Sequence, residues 1–308
     1  MLKYIGKRVF TSIITIWVVI TLTFFLVRLM PGGPFDGDKI TPEIKANLEV
    51  KYGLDKPLSE QYTMYLKNLL KGDLGESMKF RGRQVSDTIK AGFPNSAKLG
   101  LVAVVFSMVA GVGLGIIAAL KANKWPDKVC MFIATLGITI PSFVLSAVLI
   151  YIFASKLGIL PTTGFSSWQH YIMPVIALAG SSMAFITRLT RSKLIDVLKA
   201  DYIRTATAKG LSKRTVILKH ALRNSLIPVV TYLGPLVAGI MTGSFVVEKI
   251  FAIPGLGNEF VSTVSNRDYT ALLGVIVFYS TLVVVCNLIV DILYVVIDPR
   301  IKLDNIEG

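Results

Sequence analysis

The sequence predicts an all-α integral membrane protein with six transmembrane helices. Only 17% of its 308 residues are charged, and the mean hydropathy is +0.63. Soluble domains are typically about 25% charged. Six apolar stretches approach or exceed the roughly 20 residues that a helix needs to cross a bilayer. They are residues 9–27, 99–120, 129–154, 172–187, 226–247 and 271–297.

The distribution of basic residues predicts the orientation of these helices, because short loops rich in Lys and Arg stay in the cytoplasm. Three basic residues precede the first stretch, three separate the second from the third, and ten lie between Arg188 and Arg223. The other short loops hold only Lys156, Lys249 and Arg267. Both termini are therefore predicted to be cytoplasmic. This topology accounts for most of the net charge of +14 without nucleic-acid binding.

The long loop after the first stretch is predicted to carry two amphipathic helices on the outer face. Thr41 followed by Pro42 is typical of a helix start, and Gly53 would end that helix. A second helix is predicted from Ser59, with Tyr65 on its apolar face. The predicted regions are 1–30 (tail and first transmembrane helix), 31–95 (external loop) and 96–308 (core of five transmembrane helices). The core includes a cytoplasmic loop at 191–225.

The basic segment 201–225, called the elbow below, predicts two short helices joined by a corner. The first helix is predicted over residues 202–209, with Gly210 at the position of a left-handed C-cap. Ser212 would cap the second helix, over residues 213–224. Pro228 would then lie in the first turn of the next helix. A helical corner on the basic side of a membrane protein suits docking to a soluble partner.

The elbow resembles the cytoplasmic coupling loop of ABC importer permeases. The signature of that loop is Glu-Ala-Ala, three residues and Gly, and here Arg204, Thr205, Ala206 and Gly210 occupy the corresponding positions. Arg and Thr in the first two positions, with a longer interval to Pro228, are similar to the peptide and nickel permease branch. The outer-loop runs 52–57 and 72–75 resemble the same branch, most closely the oligopeptide permease B-type subunit. The alternative is a solvated amphipathic loop with no partner.

The resemblance covers nearly the whole chain and implies a type I ABC importer permease fold. It implies import of oligopeptides by alternating access, with dipeptides or nickel as alternative cargoes. The implied partners are a second homologous permease subunit, two cytoplasmic ABC ATPases and an extracellular or periplasmic peptide-binding lipoprotein, in the lipid of a prokaryotic cell membrane. ATP and Mg²⁺ would bind the ATPases, and this chain would bind no cofactor. The residues implied for ATPase coupling are Tyr202, Arg204, Thr205, Ala206, Lys209 and Gly210.

Helix-breaking residues inside two apolar stretches predict a translocation path. Proline removes an amide donor, and a membrane helix tolerates this where protein or a cavity satisfies the freed carbonyl group. Broken helices often flank transport paths, although proline is also frequent in transmembrane helices generally. The candidate residues for the path or its gate are Pro141, Ser142, Pro235, Gly239, Gly243 and Glu248.

Two further patterns occur within the apolar stretches. Asn287 and Asp291 are four residues apart and form a candidate intramembrane polar pair; the alternative is that Asp291 pairs with an interfacial base. Small residues recur every fourth position in the second stretch, which predicts close helix packing rather than a pore lining. They are Ala103, Ser107, Gly111, Gly115 and Ala119.

Other functional classes lack their sequence signatures. The chain has no Gly-x4-Gly-Lys-Ser/Thr phosphate loop and no His-Glu-x-x-His motif, so neither ATP hydrolysis nor metalloprotease activity is predicted. Cys130 and Cys286 are predicted to be apolar packing residues. An ion-coupled secondary transporter is the alternative from another class. It would need acidic groups deep in the bundle, for which Asp291 is the candidate.

Overall fold

The computed structural model describes residues 2–36, 40–241 and 245–297, with side chains at all of these except 2–5, 238, 241 and 290–297. Regular structure in the described residues is almost entirely helical. Four helices are long and apolar enough to cross a membrane, over Gly6–Leu29, Val85–Leu120, Gln169–Leu198 and Tyr269–Ile289. They belong to α1 (Leu2–Leu29), α4 (Val85–Leu120), α7 (Gln169–Leu198) and α14 (Tyr269–Ile297). The shortest predicted stretch, 172–187, is thus part of a helix of 30 residues.

A broken helix provides a fifth apolar segment of sufficient length. Helix α5 (Trp125–Thr139) and helix α6 (Ser142–Leu149), which continues as the π-helical stretch Ile150–Lys156, meet at an angle of 111°. Pro141 lies at the break, as predicted, because it cannot continue the hydrogen-bond ladder of α5. The predicted stretch 226–247 contains the shorter helix α11 (Ile227–Met241) and the start of α12 (Phe245–Ile250).

One compact unit comprises residues within 1–96 and 254–292. It contains α1, α2 (Pro42–Lys51), α3 (Leu58–Leu70), α13 (Leu256–Ser265) and most of α14. Phe24 of α1 packs with Leu272 and Leu273 of α14 in its core. Helix α2 starts as predicted, with the Thr41 hydroxyl accepting a hydrogen bond from the amide of Ile44 at 3.4 Å.

The buried Asp268 joins two segments of this unit. Its Oδ1 atom accepts hydrogen bonds from the amides of Met78 (3.1 Å) and Ala271 (3.2 Å), and the Ser77 hydroxyl donates to Oδ2. The carboxylate therefore caps the first turn of α14 and holds the chain around residue 77 against it. Sequence reasoning did not identify this residue, because the partners at 77 and 78 are remote along the chain.

The second unit, residues within 97–253, is built around α7. All five small residues of the predicted ridge on α4 are buried. A Cβ atom added at Gly111 would lie 2.8 Å from the side chain of Ile186, and one at Gly115 would lie 2.5 Å from Thr190. The backbones of α4 and α7 can approach this closely only because glycine has no side chain. The close packing predicted from the ridge is confirmed.

A buried ion pair attaches the start of α5 to α7. Both carboxylate oxygens of Asp127, which is 3% exposed, accept hydrogen bonds from the Arg191 guanidinium at 2.6 and 2.7 Å. The amide of Asn123 donates to the same carboxylate at 2.7 Å. Bidentate geometry and a third donor compensate the burial of this charge. The pair fixes the turn between α4 and α5 to α7, the helix that leads into the elbow.

Candidate coupling elbow and hydroxyl-lined recess

The first arm of the elbow is helix α8 (Asp201–Ala208), and it ends at Gly210 as predicted. Gly210 has a φ of +80°, its amide donates to the Thr207 carbonyl at 3.0 Å, and the amide of Leu211 donates to the Ala206 carbonyl at 3.4 Å. These two bonds form a Schellman motif, which satisfies the last carbonyl groups of the helix. The left-handed φ required here favours glycine over any residue with a side chain.

The second arm is a composite helix over residues 213–225. The Ser212 hydroxyl accepts a hydrogen bond from the Thr215 amide at 3.3 Å, as predicted for an N-cap. The arm consists of α9 (Lys213–Thr215), the π-helical stretch Val216–Ala221 and α10 (Leu222–Ser225). The widened π turn was not predicted, since no proline or glycine marks it. Asn224 donates to the Tyr202 hydroxyl at 2.9 Å and so braces the second arm against the first.

One face of the elbow packs inside its own unit. Ile203 and Ala206 of the first arm join Val216 and Ala221 of the second arm in a buried cluster with Leu194 of α7. The exposed fraction of Ala206 is only 7%. The Ala206 side chain therefore faces the bundle and positions the arm, and its implied coupling role stays a prediction. The other five residues implied for docking are exposed: Tyr202, Arg204, Thr205, Lys209 and Gly210.

The exposed face of the elbow is strongly basic. Six basic side chains of residues 201–225 are exposed, and Asp201 is the only acidic residue in that range. Asp201 lies 3.6 Å from Arg204, but both side chains are largely exposed, so this ion pair contributes little. A cavity of about 430 Å³ beside the arms is lined mainly by apolar side chains, including Ile203, Leu211 and Val216. The elbow can therefore receive an acidic surface that presents an apolar side chain.

A recess of about 450 Å³ lies where α6, α7, α11 and α12 meet. Three of the six predicted path residues, Ser142, Pro235 and Gly239, line it. None of the lining residues that the structure describes is charged. The remaining lining residues are Leu178, Ser181, Ser182, Tyr232, Leu236, Ile240, Phe245 and Val246.

The serines of α7 give the recess its polar character. Elsewhere in this unit, Ser146 and Thr187 donate to carbonyls of their own helices at 2.8 Å. Within the described ranges, Ser181 and Ser182 make no such side-chain hydrogen bond, so their hydroxyls are free to contact a solute in the recess. Sequence reasoning missed both residues, although two adjacent hydroxyls inside an apolar stretch were a visible signal.

The remaining predicted site residues are not brought together with the recess. Pro141 is exposed at the helix break and is not part of the lining. Glu248 is completely buried within α12, so its side chain does not reach an open surface in this conformation. Asn287 is exposed, while Gly243 and the side chain of Asp291 lie outside the described residues. The predicted polar pair of the last helix therefore stays a prediction.

An apolar helical chain with an exposed basic elbow and an uncharged recess has the architecture of a membrane transport component. Residues 111–303 match the family described as "Binding-protein-dependent transport system inner membrane component". Residues 1–99 match the corresponding N-terminal family of such membrane components. The first match alone covers more than half of the chain, and the chain therefore belongs to this family.

Similar curated proteins match along almost their whole length. The dipeptide transport system permease protein DppB of Bacillus subtilis is 48% identical over 304 residues, which cover 98% of this chain and 99% of that protein. The oligopeptide transport system permease protein OppB of Haemophilus influenzae is 47% identical over 305 residues, covering 98% and 100%. OppB of Escherichia coli K12 is 45% identical over 306 residues, with the same coverage.

Two solved transporters share the fold. An inward-facing MetNI methionine ABC transporter has a TM-score of 0.57 and 18% identity over 68% of this chain and 96% of the matched chain. An amino acid ABC transporter solved with histidines has a TM-score of 0.53 and 16% identity over 68% and 93%. At this identity the likeness establishes the fold, which is that of ABC transporter membrane subunits.

Proposed function

We propose that this chain is the permease subunit of an ATP-driven importer that translocates oligopeptides delivered by an external binding protein. The observation that carries the proposal is the 45–48% identity, over 98% of the chain, to permeases named for oligopeptide and dipeptide transport. Dipeptides are therefore the second candidate cargo. The wide, neutral recess favours substrates recognised through their peptide groups, since hydroxyls can hydrogen-bond a peptide backbone whatever its side chains.

The proposed assembly places this chain in a prokaryotic plasma membrane with six crossings and both termini in the cytoplasm. Its partners would be a second homologous permease subunit, two ABC ATPases that bind ATP and Mg²⁺, and a peptide-binding lipoprotein. The exposed basic residues of the elbow support its assignment to the cytoplasmic side, because positive loops stay inside. The proposed ATPases would bind on that side.

The proposed mechanism couples the elbow to the recess through α7. The Schellman turn and the Tyr202–Asn224 hydrogen bond join the two arms of the elbow, and the buried cluster with Leu194 packs both arms against α7. Movement of the elbow by closing ATPases would therefore be transmitted to α7, whose Ser181 and Ser182 line the recess. ATP binding shifts the equilibrium between inward-open and outward-open states only if the ATPases contact the elbow differently in the two states.

Transport by an assembly reconstituted from the two permease subunits and the two ATPases tests this proposal. Proteoliposomes with ATP on the ATPase side should accumulate a labelled tetrapeptide supplied with its binding protein, and should not do so with a non-hydrolysable ATP analogue. Measuring the uptake of dipeptides and of nickel in the same vesicles would show which of the alternative cargoes is transported better. Uptake driven by an ion gradient through the isolated chain would contradict the proposal and favour a secondary transporter.

A further inference from the structure

Helix α7 has an exposed side that begins in the recess and ends at an arginine. Between residues 173 and 191 its exposed residues are Ser181, Phe185 and Arg188. Their spacing of three and four residues places them on one side of the helix. Ser181 lines the recess, and the ring centroid of Phe185 lies 4.4 Å from that of Tyr232, another lining residue. Arg188 therefore lies on the same side of α7 as the recess.

A neutral hydroxyl group orients the Arg188 side chain. Its Nη2 group donates to Thr135 Oγ1 of α5 at 3.1 Å. The Thr135 hydroxyl donates its own proton to the Met131 carbonyl at 2.8 Å, so it serves Arg188 only as an acceptor. Within the described ranges Arg188 makes no ion pair, and four of its five N–H donors remain for a ligand. Arg191, one turn further on, differs because both oxygens of Asp127 bind it.

An arginine on an exposed side of an apolar helix requires an anionic or polar partner. Arg188 lies within Gln169–Leu198, which is apolar and long enough to cross a membrane. Charged side chains in such spans are rare, and they face partners or polar paths rather than lipid. The planar guanidinium matches a carboxylate, to which it can donate two parallel hydrogen bonds. The chemistry of Arg188 therefore favours a carboxylate on the solute that occupies the recess.

We propose that Arg188 binds the C-terminal carboxylate of a peptide whose backbone extends into the recess. This inference rests on the proposed function, because it assigns a binding residue to that cargo. Ser181 and Arg188 are separated by about 10 Å along α7, at a rise of about 1.5 Å per residue. An extended peptide advances at most about 3.3–3.6 Å per residue, so about three residues span this distance.

A carboxylate site also fits the neutral wall of the recess. The described residues that line the recess carry no charge, so they do not discriminate between acidic and basic peptide side chains. Every unmodified peptide has a terminal carboxylate, whatever its sequence. One arginine beside a neutral recess can therefore fix the direction of the peptide without selecting its side chains.

Affinity labelling of Ser181→Cys in the purified assembly tests this arrangement. A tripeptide with an N-terminal chloroacetyl group alkylates the introduced thiol, with chloride as the leaving group, when Arg188 holds its carboxylate. Below saturation, the free acid should react about tenfold faster than the same peptide with a C-terminal amide, which corresponds to about 1.4 kcal/mol. The assembly with Ser181 unchanged keeps Cys130 and Cys286 and gives the background rate.

Three further substitutions in the Ser181→Cys chain identify the group that binds the carboxylate. Arg188→Gln should lower the rate for the acid to that for the amide and leave the amide rate unchanged. Arg188→Lys keeps the charge but loses the planar fork, so it should retain part of the preference. Arg81→Gln, the same change at an exposed residue of the other unit, should keep the full preference.

The outcomes separate this inference from the proposed function. Equal labelling by the acid and the amide would overturn the inference, and so would a preference that Arg188→Gln leaves intact. Loss of the second permease subunit from folded Arg188→Gln assemblies would assign the guanidinium to an acidic group of that subunit and overturn it too. The labelling needs neither ATP nor the binding protein. Acid-selective labelling in an assembly without ATP-driven peptide uptake would therefore contradict the proposed function alone.

Discussion

The elbow and the recess belong to the same unit but are built in opposite ways. The elbow is a continuous segment whose shape is set by short-range bonds such as the Ser212 cap and the turn at Gly210, and its exposed face carries six basic side chains. The recess is assembled from four helices and carries hydroxyls without charge. The surface proposed to dock a protein partner is thus specified by local motifs, whereas the neutral wall of the recess would suit solutes that differ in charge.

The largest expected effect comes from changing the backbone of the elbow. Gly210→Val introduces a β-branched residue at a φ of +80°, where nothing lies within 4 Å of the new Cβ atom, so the penalty is conformational rather than steric. A left-handed conformation costs a non-glycine residue roughly 1–2 kcal/mol. The turn should therefore rearrange, and stimulation of ATPase activity by peptide-loaded binding protein should fall at least about tenfold.

The matched control is Gly158→Val, which also has a positive φ (+64°) and open space around the Cβ position but lies outside the elbow. It should insert and stimulate the ATPases normally. Equal stimulation by the wild type and Gly210→Val in correctly inserted assemblies would remove the coupling role from the elbow.

An intermediate effect is expected from placing a charge in the recess. Ser182→Asp should reduce the uptake of acidic peptides relative to basic ones about tenfold, and Ser182→Lys should reverse that preference. The reason is that like charges about 4 Å apart repel by about 4 kcal/mol at an effective dielectric constant of 20, more than the 1.4 kcal/mol that tenfold requires.

Competition between two labelled peptides of equal length and opposite charge measures this preference. The affinity of the binding protein for each peptide is the internal control, because the substitutions are not in that protein. If both variants reduce the uptake of the two peptides equally, the serine does not face the transported peptide. The elbow should remain functional in both variants, so the basal ATPase rate should not change.

Features governed by short-range geometry were predictable from the sequence. The corner at Gly210, the break at Pro141 and the close packing of the small-residue ridge follow from the conformations and sizes of single residue types, and all three are present. Long-range partners were not predictable. Arg191 binds Asp127 from 64 residues away, and Asp268 binds Met78 from 190 residues away. Nothing in either local sequence specifies such a partner.

The lining of the recess was also only partly predictable from the sequence. Ser142, Pro235 and Gly239 stood out because proline and glycine are helix-breaking residue types and Ser142 follows Pro141, although α11 continues through both Pro235 and Gly239. Ser181 lies in α7 without such a signal. The burial of Ala206 was not predictable either, because a motif position does not reveal which face of α8 is buried. The residues that a motif selects therefore include both exposed side chains and a buried one that positions the arm.

The smallest expected effect separates contact with a partner from bracing of the elbow at Tyr202. Its hydroxyl accepts the hydrogen bond from Asn224 and retains its own proton, which it can donate to a partner. Asn224→Ala removes only the brace, which should cost about 1 kcal/mol or less at this exposed position and reduce ATPase stimulation at most about twofold. Tyr202→Phe removes both the brace and the donor and should have a larger effect if the hydroxyl contacts an ATPase.

Tyr151→Phe, at an exposed tyrosine outside the elbow, should be silent. Equal effects of Asn224→Ala and Tyr202→Phe would limit the hydroxyl to bracing the elbow, and ATPase docking would then depend on the basic side chains alone.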